Sequence, residues 1–80
     1  MNKARRKEIS KCQDDLNTIL DRLQCVLDEE QEAYDNLPEG IQMGERGDAM
    51  QECIDNLDNA ISDLQTAIDD LDEIEYFCPN

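Results

Sequence analysis

Eighty residues carrying 21 acids against seven bases, with a formal charge of −14, make one domain at most. A chain this short builds only a marginal core alone, so cover from a partner is expected. The absence of histidine removes imidazole acid–base chemistry and histidine-containing triads, and Ser10, Thr18, Ser62 and Thr66 are scattered with no base placed to activate them, so an enzyme is not expected.

Charge is segregated along the chain. Lys3, Arg5, Arg6, Lys7 and Lys11 crowd the first eleven residues, opposed only by Glu8; from Cys12 onward the only bases are Arg22 and Arg46. No apolar h-region follows the basic start, and no run approaches the ~18 apolar residues of a membrane span, so a cytoplasmic protein without a membrane contact is expected. Cys12, Cys25, Cys53 and Cys78 then read as reduced thiols that serve as small hydrophobes. An antiparallel hairpin holds them too far apart for bridges, with Cys12 and Cys78 the only pair that fraying brings together.

The first predicted element is a helix from about residue 3 to 36. Ile9, Cys12, Leu16, Ile19, Leu23, Val26, Ala33 and Leu37 recur at helical spacing, and Leu20, Leu27 and Tyr34 widen the stripe; Glu30 is the one charge counted within it. A loop over residues 37–47 follows. Pro38 forbids helix continuation and biases Leu37 away from helical angles, Gly40 and Gly44 supply turn positions, and residues 38–42 have room for a single helical turn. The second helix runs from about 48 to 77, with Gly44 or Asp48 as its cap. It is the more regular one: Met50, Leu57, Leu64 and Leu71 form one line of residues seven apart, Cys53, Ala60, Ala67 and Ile74 a second, and Ile54, Ile61 and Ile68 a third. A stripe three positions wide is the face of a bundle rather than a narrow two-stranded seam.

Two helices of similar length joined by a short loop fold back antiparallel, giving an all-α two-helix hairpin over residues 1–80. That brings the basic start of the first helix beside Asp69, Asp70, Asp72, Glu73 and Glu75, an arrangement that offsets charges each poorly placed for its own helix dipole. The wide stripe predicts a homodimer forming a four-helix bundle, with Leu20, Leu27, Ile54, Ile61 and Ile68 contributing to the shared core.

No cysteine pair has zinc-finger spacing, and the run Asp69-Asp70-Leu71-Asp72-Glu73 lacks the alternating ligands and central glycine of a calcium loop, so no metal or cofactor is expected. The acids themselves are the candidate functional feature. Eighteen fall within residues 14–35 and 48–75, about one per 2 Å along a rod of ~40 Å, against one per ~1.7 Å for duplex DNA. Asp55, Asp58, Asp63, Asp69, Asp70, Asp72 and Glu73 are the candidate contacts to a partner. A charge of −14 itself repels a phosphate backbone, so the partner is a protein with a basic surface and not a nucleic acid. The plainer reading is a solvated face.

The segment EEQEAYDNLPEGIQMGERGDAMQECIDNL, residues 29–57, resembles short acidic proteins of phages and prophages of Gram-positive bacteria, through EEQEA-x-DNLP-E, then ERG-x-x-M, then I-x-x-L heptads. Gly44 stands where that pattern has a serine cap. The resemblance implies a helical hairpin of mobile-element origin, resident in the host cytoplasm, and by association a host-takeover or anti-defence role; it carries over no functional residues. The expected function is therefore an inhibitor whose acidic helical surface blocks a basic nucleic-acid-binding site of a host protein. The alternative is an assembly module that docks another helical protein through its apolar stripe.

Overall fold

The computed structural model describes the backbone of residues 2–77 and the side chains of residues 2–74. It comprises α1 (Lys3–Asp35), α2 (Glu39–Gln42) and α3 (Glu45–Phe77), with no strand among the described residues. Helices α1 and α3 pack against each other. Gln13 meets Ile68 and Asp72, while Leu27 and Gln31 line a groove with Ile54 and Gln51, so residue numbers fall along α3 as they rise along α1. The pair is an antiparallel hairpin, 59 × 16 × 13 Å in Cα extent.

Local chemistry sets the ends. The Asn2 side chain caps α1 by accepting from the Arg5 N–H at 2.8 Å, one of the amides a helix start leaves unpaired. At the other end Pro38 stops the helix, and Gln42 folds back so that Nε2 donates to the Tyr34 carbonyl at 2.9 Å, closing a last-turn acceptor. Gly44 immediately precedes α3, and its carbonyl accepts from the Asp48 N–H at 3.0 Å as the first helical bond. Helix α3 therefore begins three residues before the expected start at 48. Gly47 does not interrupt it. This buried glycine lies directly against the backbone of Gln42, where a Cβ would sit 2.6 Å from the Gln42 Cα and closer still to its carbonyl oxygen.

The seam between the helices is two positions wide. From α1 it takes Ile9, Gln13, Leu16, Leu20, Leu23, Leu27, Glu30 and Tyr34; from α3, Met50, Ile54, Leu57, Ile61, Leu64, Ile68 and Leu71. The steps alternate between four and three residues, the knob pattern of a coiled coil that supercoils to keep its seam closed. Among the described residues Ile54 and Ile61 are the buried apolar side chains, and Gln13 is the buried polar one. Leu20, Leu27, Ile54, Ile61 and Ile68, expected to help build a core shared with a second hairpin, line the seam of a single one, where Ile54 and Ile61 are buried and the other three half-buried. What stays outside is the remaining line of each stripe: Cys12, Ile19, Val26 and Ala33 on α1, and on α3 Cys53, Ala60 and Ala67, with Ile74 at the end of that line half-buried.

The expected charge pairing across the open end is absent among the described residues: no ion pair joins Lys3, Arg5, Arg6, Lys7 or Lys11 to Asp69, Asp70, Asp72 or Glu73. Asp72 is engaged by a neutral amide instead, accepting from Gln13 Nε2 at 2.5 Å. Long exposed side chains gain little from holding one another across a solvated gap. Glu75 and Cys78, and with them the proposed approach of Cys12 to Cys78, lie outside the residues whose side chains are described; Cys12, Cys25 and Cys53 are free and exposed.

Candidate functional site

An antiparallel coiled pair has two distinct sides, because the residues flanking one edge of the seam on α1 lie beside their counterparts on α3. On one side Ser10, Asn17, Gln24 and Gln31 of α1 flank the seam, as do Gln51, Asp58, Gln65 and Asp72 of α3. One position further out run Asp14, Asp21, Asp28 and Asp35 on α1, at intervals of seven, and Asp48, Asp55 and Asp69 on α3. The groove lined by Leu27, Asp28 and Gln31 together with Gln51, Ile54, Asp55 and Asp58 shows both helices contributing to this side. Nine aspartates share it, and the only bases there are Lys3 and Lys7 at the open end of the rod.

These carboxylates are oriented without being neutralised. Gln31 Nε2 donates to Asp35 Oδ1 at 3.1 Å, and Gln51 Nε2 to Asp55 Oδ1 at 3.1 Å. Each pair spans one helical turn, from the line beside the seam to the line outside it. With Gln13 bound to Asp72, three of the nine aspartates take a neutral amide donor. From Asp48 to Asp72 the side runs ~36 Å, so its aspartates fall about one per 4 Å, close to the ~3.4 Å spacing of charges along one strand of a duplex.

The seven residues expected from the sequence to meet a partner are all exposed, but they do not share one surface. Asp55, Asp58, Asp69 and Asp72 lie on the aspartate side. Asp63 and Asp70 lie on the opposite side, next to the exposed apolar line, and Glu73 points from the back of α3 away from the seam. Asp48 and the α1 aspartates 14, 21, 28 and 35, absent from that expected set, complete the surface. Their interval of seven was the available signal; what hid them was a stripe taken as three positions wide, which left the seam's edges undefined. No group of three or more His, Cys, Asp or Glu among the described residues is disposed to hold a metal ion, and no described helix is long and apolar enough to cross a membrane.

The class of protein so defined is an antiparallel α-helical hairpin with one aspartate-lined side and one apolar side. Beyond that class, no protein-family model, curated protein or solved structure matches the chain.

Proposed function

We propose that this protein is a non-enzymatic, phage-type interaction protein whose aspartate-lined side occupies a basic, nucleic-acid-binding surface of a host protein. The observation that carries the reading is the unneutralised alignment of Asp14, Asp21, Asp28, Asp35, Asp48, Asp55, Asp58, Asp69 and Asp72 on one side of a rod. A solvated surface has no need of one sign of charge, since mixed charges keep proteins soluble without the self-repulsion. Glutamine amides that orient Asp35, Asp55 and Asp72 reduce the cost of fixing those carboxylates against arginine or lysine on a partner. The resemblance of residues 29–57 to phage and prophage proteins supports a host target, within the cytoplasm, by association.

The test is capture from a Gram-positive lysate with two neutralised variants beside the parent. One carries Asp28→Asn, Asp55→Asn, Asp58→Asn and Asp69→Asn on the aspartate side; the other carries Asp63→Asn and Asp70→Asn on the opposite side. The parent and the second variant are expected to retain a protein that duplex DNA or high salt displaces, and the first variant to lose it. Retention by all three alike, unaffected by DNA or salt, would make the aspartate side a solvated surface and favour the alternative, docking of another helical protein through the apolar line.

A further inference from the structure

We infer that a second copy of this chain covers the side of the hairpin opposite the aspartates, in a two-fold dimer whose axis runs along the rod. The inference is independent of what the aspartate side binds. Three features carry it.

The first is area. The chain exposes 5996 Å² and weighs 9.2 kDa. A compact monomer of that mass exposes about 4,900 Å², an excess here of ~1,100 Å², and each partner of a standard interface contributes ~800 Å². The radius of gyration of 18.0 Å, against the ~12 Å of a compact domain this long, describes the same deficit of burial. Covering one side of the rod removes it.

The second is shape. The exposed line on α1 is bulky in its middle, where Ile19 and Val26 are 42 % and 46 % exposed between Cys12 and Ala33, and small on α3, where it is Cys53, Ala60 and Ala67 before the half-buried Ile74. A two-fold axis along the rod sets α1 of each copy over α3 of the other. Every bulky side chain then faces a small one, and all neighbouring helices run antiparallel, the up-and-down bundle arrangement.

The third is charge. On the aspartate side the bases are confined to Lys3 and Lys7 at the open end, whereas here Arg5, Arg22 and Arg46 are interspersed among the acids along the rod. Residues at one level of the rod have numbers adding to about 81–85, as Gln13 with Ile68 or Asp72 and Gln31 with Gln51 illustrate. The same levels hold across the proposed axis, so Arg22, alone as a base within the middle of α1, meets the partner's Asp63. Asp15 meets the partner's Asp70, a like-charge contact that makes the dimer tighter as salt rises. The aspartate tracks face outward on both copies, separated by the full thickness of the bundle.

Sedimentation equilibrium over a range of salt tests the pairing. A dimer that tightens several-fold from low to high salt is expected, the opposite sense to an acidic protein binding a basic partner. Ile19→Asn with Val26→Asn should give monomer. Because that variant also bears on folding, the surface is read independently in the unmodified protein by alkylation. Cys53 should become protected as protein concentration rises, while Cys25, on the outer face of α1, should not. Arg22→Asp should weaken the dimer about tenfold, and adding Asp63→Arg should restore it. A monomer at every salt concentration overturns the proposal. So does a dimer in which Cys53 reacts as fast as Cys25, or one in which the double exchange restores nothing.

Discussion

Gly47 and Gln13 each make a close contact that depends on the identity of a single residue. At Gly47 the backbones of α2 and α3 touch, and any Cβ runs into main-chain atoms of Gln42 that cannot swing aside as a side chain does. Gly47→Ala is expected to cost about 2 kcal/mol, the scale of overpacking in a tight site, read as a lower urea midpoint. Gly40 is the control: it lies within α2, and a Cβ there meets nothing within 4 Å. Gly40→Ala should therefore be neutral or stabilise by up to ~1 kcal/mol, by narrowing the unfolded chain. Gln13 sits in the seam at 9 % exposure, its Nε2 reaching the Ile68 carbonyl at 3.3 Å and Asp72. Both acceptors survive its loss, since the Ile68 carbonyl lies inside α3 and Asp72 is exposed to water. Gln13→Leu should then raise the melting temperature, by about 1 kcal/mol of added apolar burial, as measured by calorimetry. A lower melting temperature would mean that the amide holds a register that leucine does not.

At the scale of elements, stability concentrates in the middle of the seam. Ile54 and Ile61 are 6 % and 5 % exposed, whereas Ile41 in the turn is 39 % exposed. Ile61→Ala is expected to cost ~2–5 kcal/mol, and Ile41→Ala less than ~0.5 kcal/mol, as a surface change; denaturant unfolding of the two variants checks the difference. The helices themselves were legible in the sequence, because apolar residues at heptad spacing mark both of them and Pro38 marks the break. The start of α3 was not, because a glycine at position 47 looks like a helix breaker until α2 is seen packed on it. Nor was the division of the stripe. Three adjacent lines of apolar residues on each helix do not say which two will close against the other helix. Gln13, which no apolar pattern marks, takes a seam position with Glu30 and Tyr34, while Cys12, Ile19 and Val26 stay out. A polar residue such as Gln13 at a seam position carries no apolar signal, so the candidate site is legible only in part: Asp55, Asp58, Asp69 and Asp72 stand out in the sequence, Asp48 and the α1 aspartates do not, and Asp63, Asp70 and Glu73 belong to surfaces apart.

For the whole molecule, the long thin rod makes electrostatics a global property. With a net charge of −14 spread over a rod 59 Å long, few charges have a neutral neighbourhood, and most near neighbours on the aspartate side share a sign. Two like charges 10 Å apart repel by ~0.4 kcal/mol in water without salt, which is small for one pair and substantial when summed over tracks of aspartates. Added salt screens these terms, with a Debye length of ~30 Å at 0.01 M and ~8 Å at physiological strength, so the melting temperature should climb steeply over that interval and level off beyond it. The unfolded chain carries the same charges at larger separations, and so gains less from screening. If the aspartate side is the source, the variant with Asp28→Asn, Asp55→Asn, Asp58→Asn and Asp69→Asn should melt higher than the parent at low salt, with a flatter dependence on salt. Asp63→Asn with Asp70→Asn should change the slope less, because Arg5, Arg22 and Arg46 share their side of the rod. Thermal unfolding by circular dichroism at three ionic strengths separates these cases. Equal slopes for parent and both variants would mean that the aspartates are already compensated by bound counterions, and the field on which partner recognition depends would be far weaker than the alignment of the carboxylates implies.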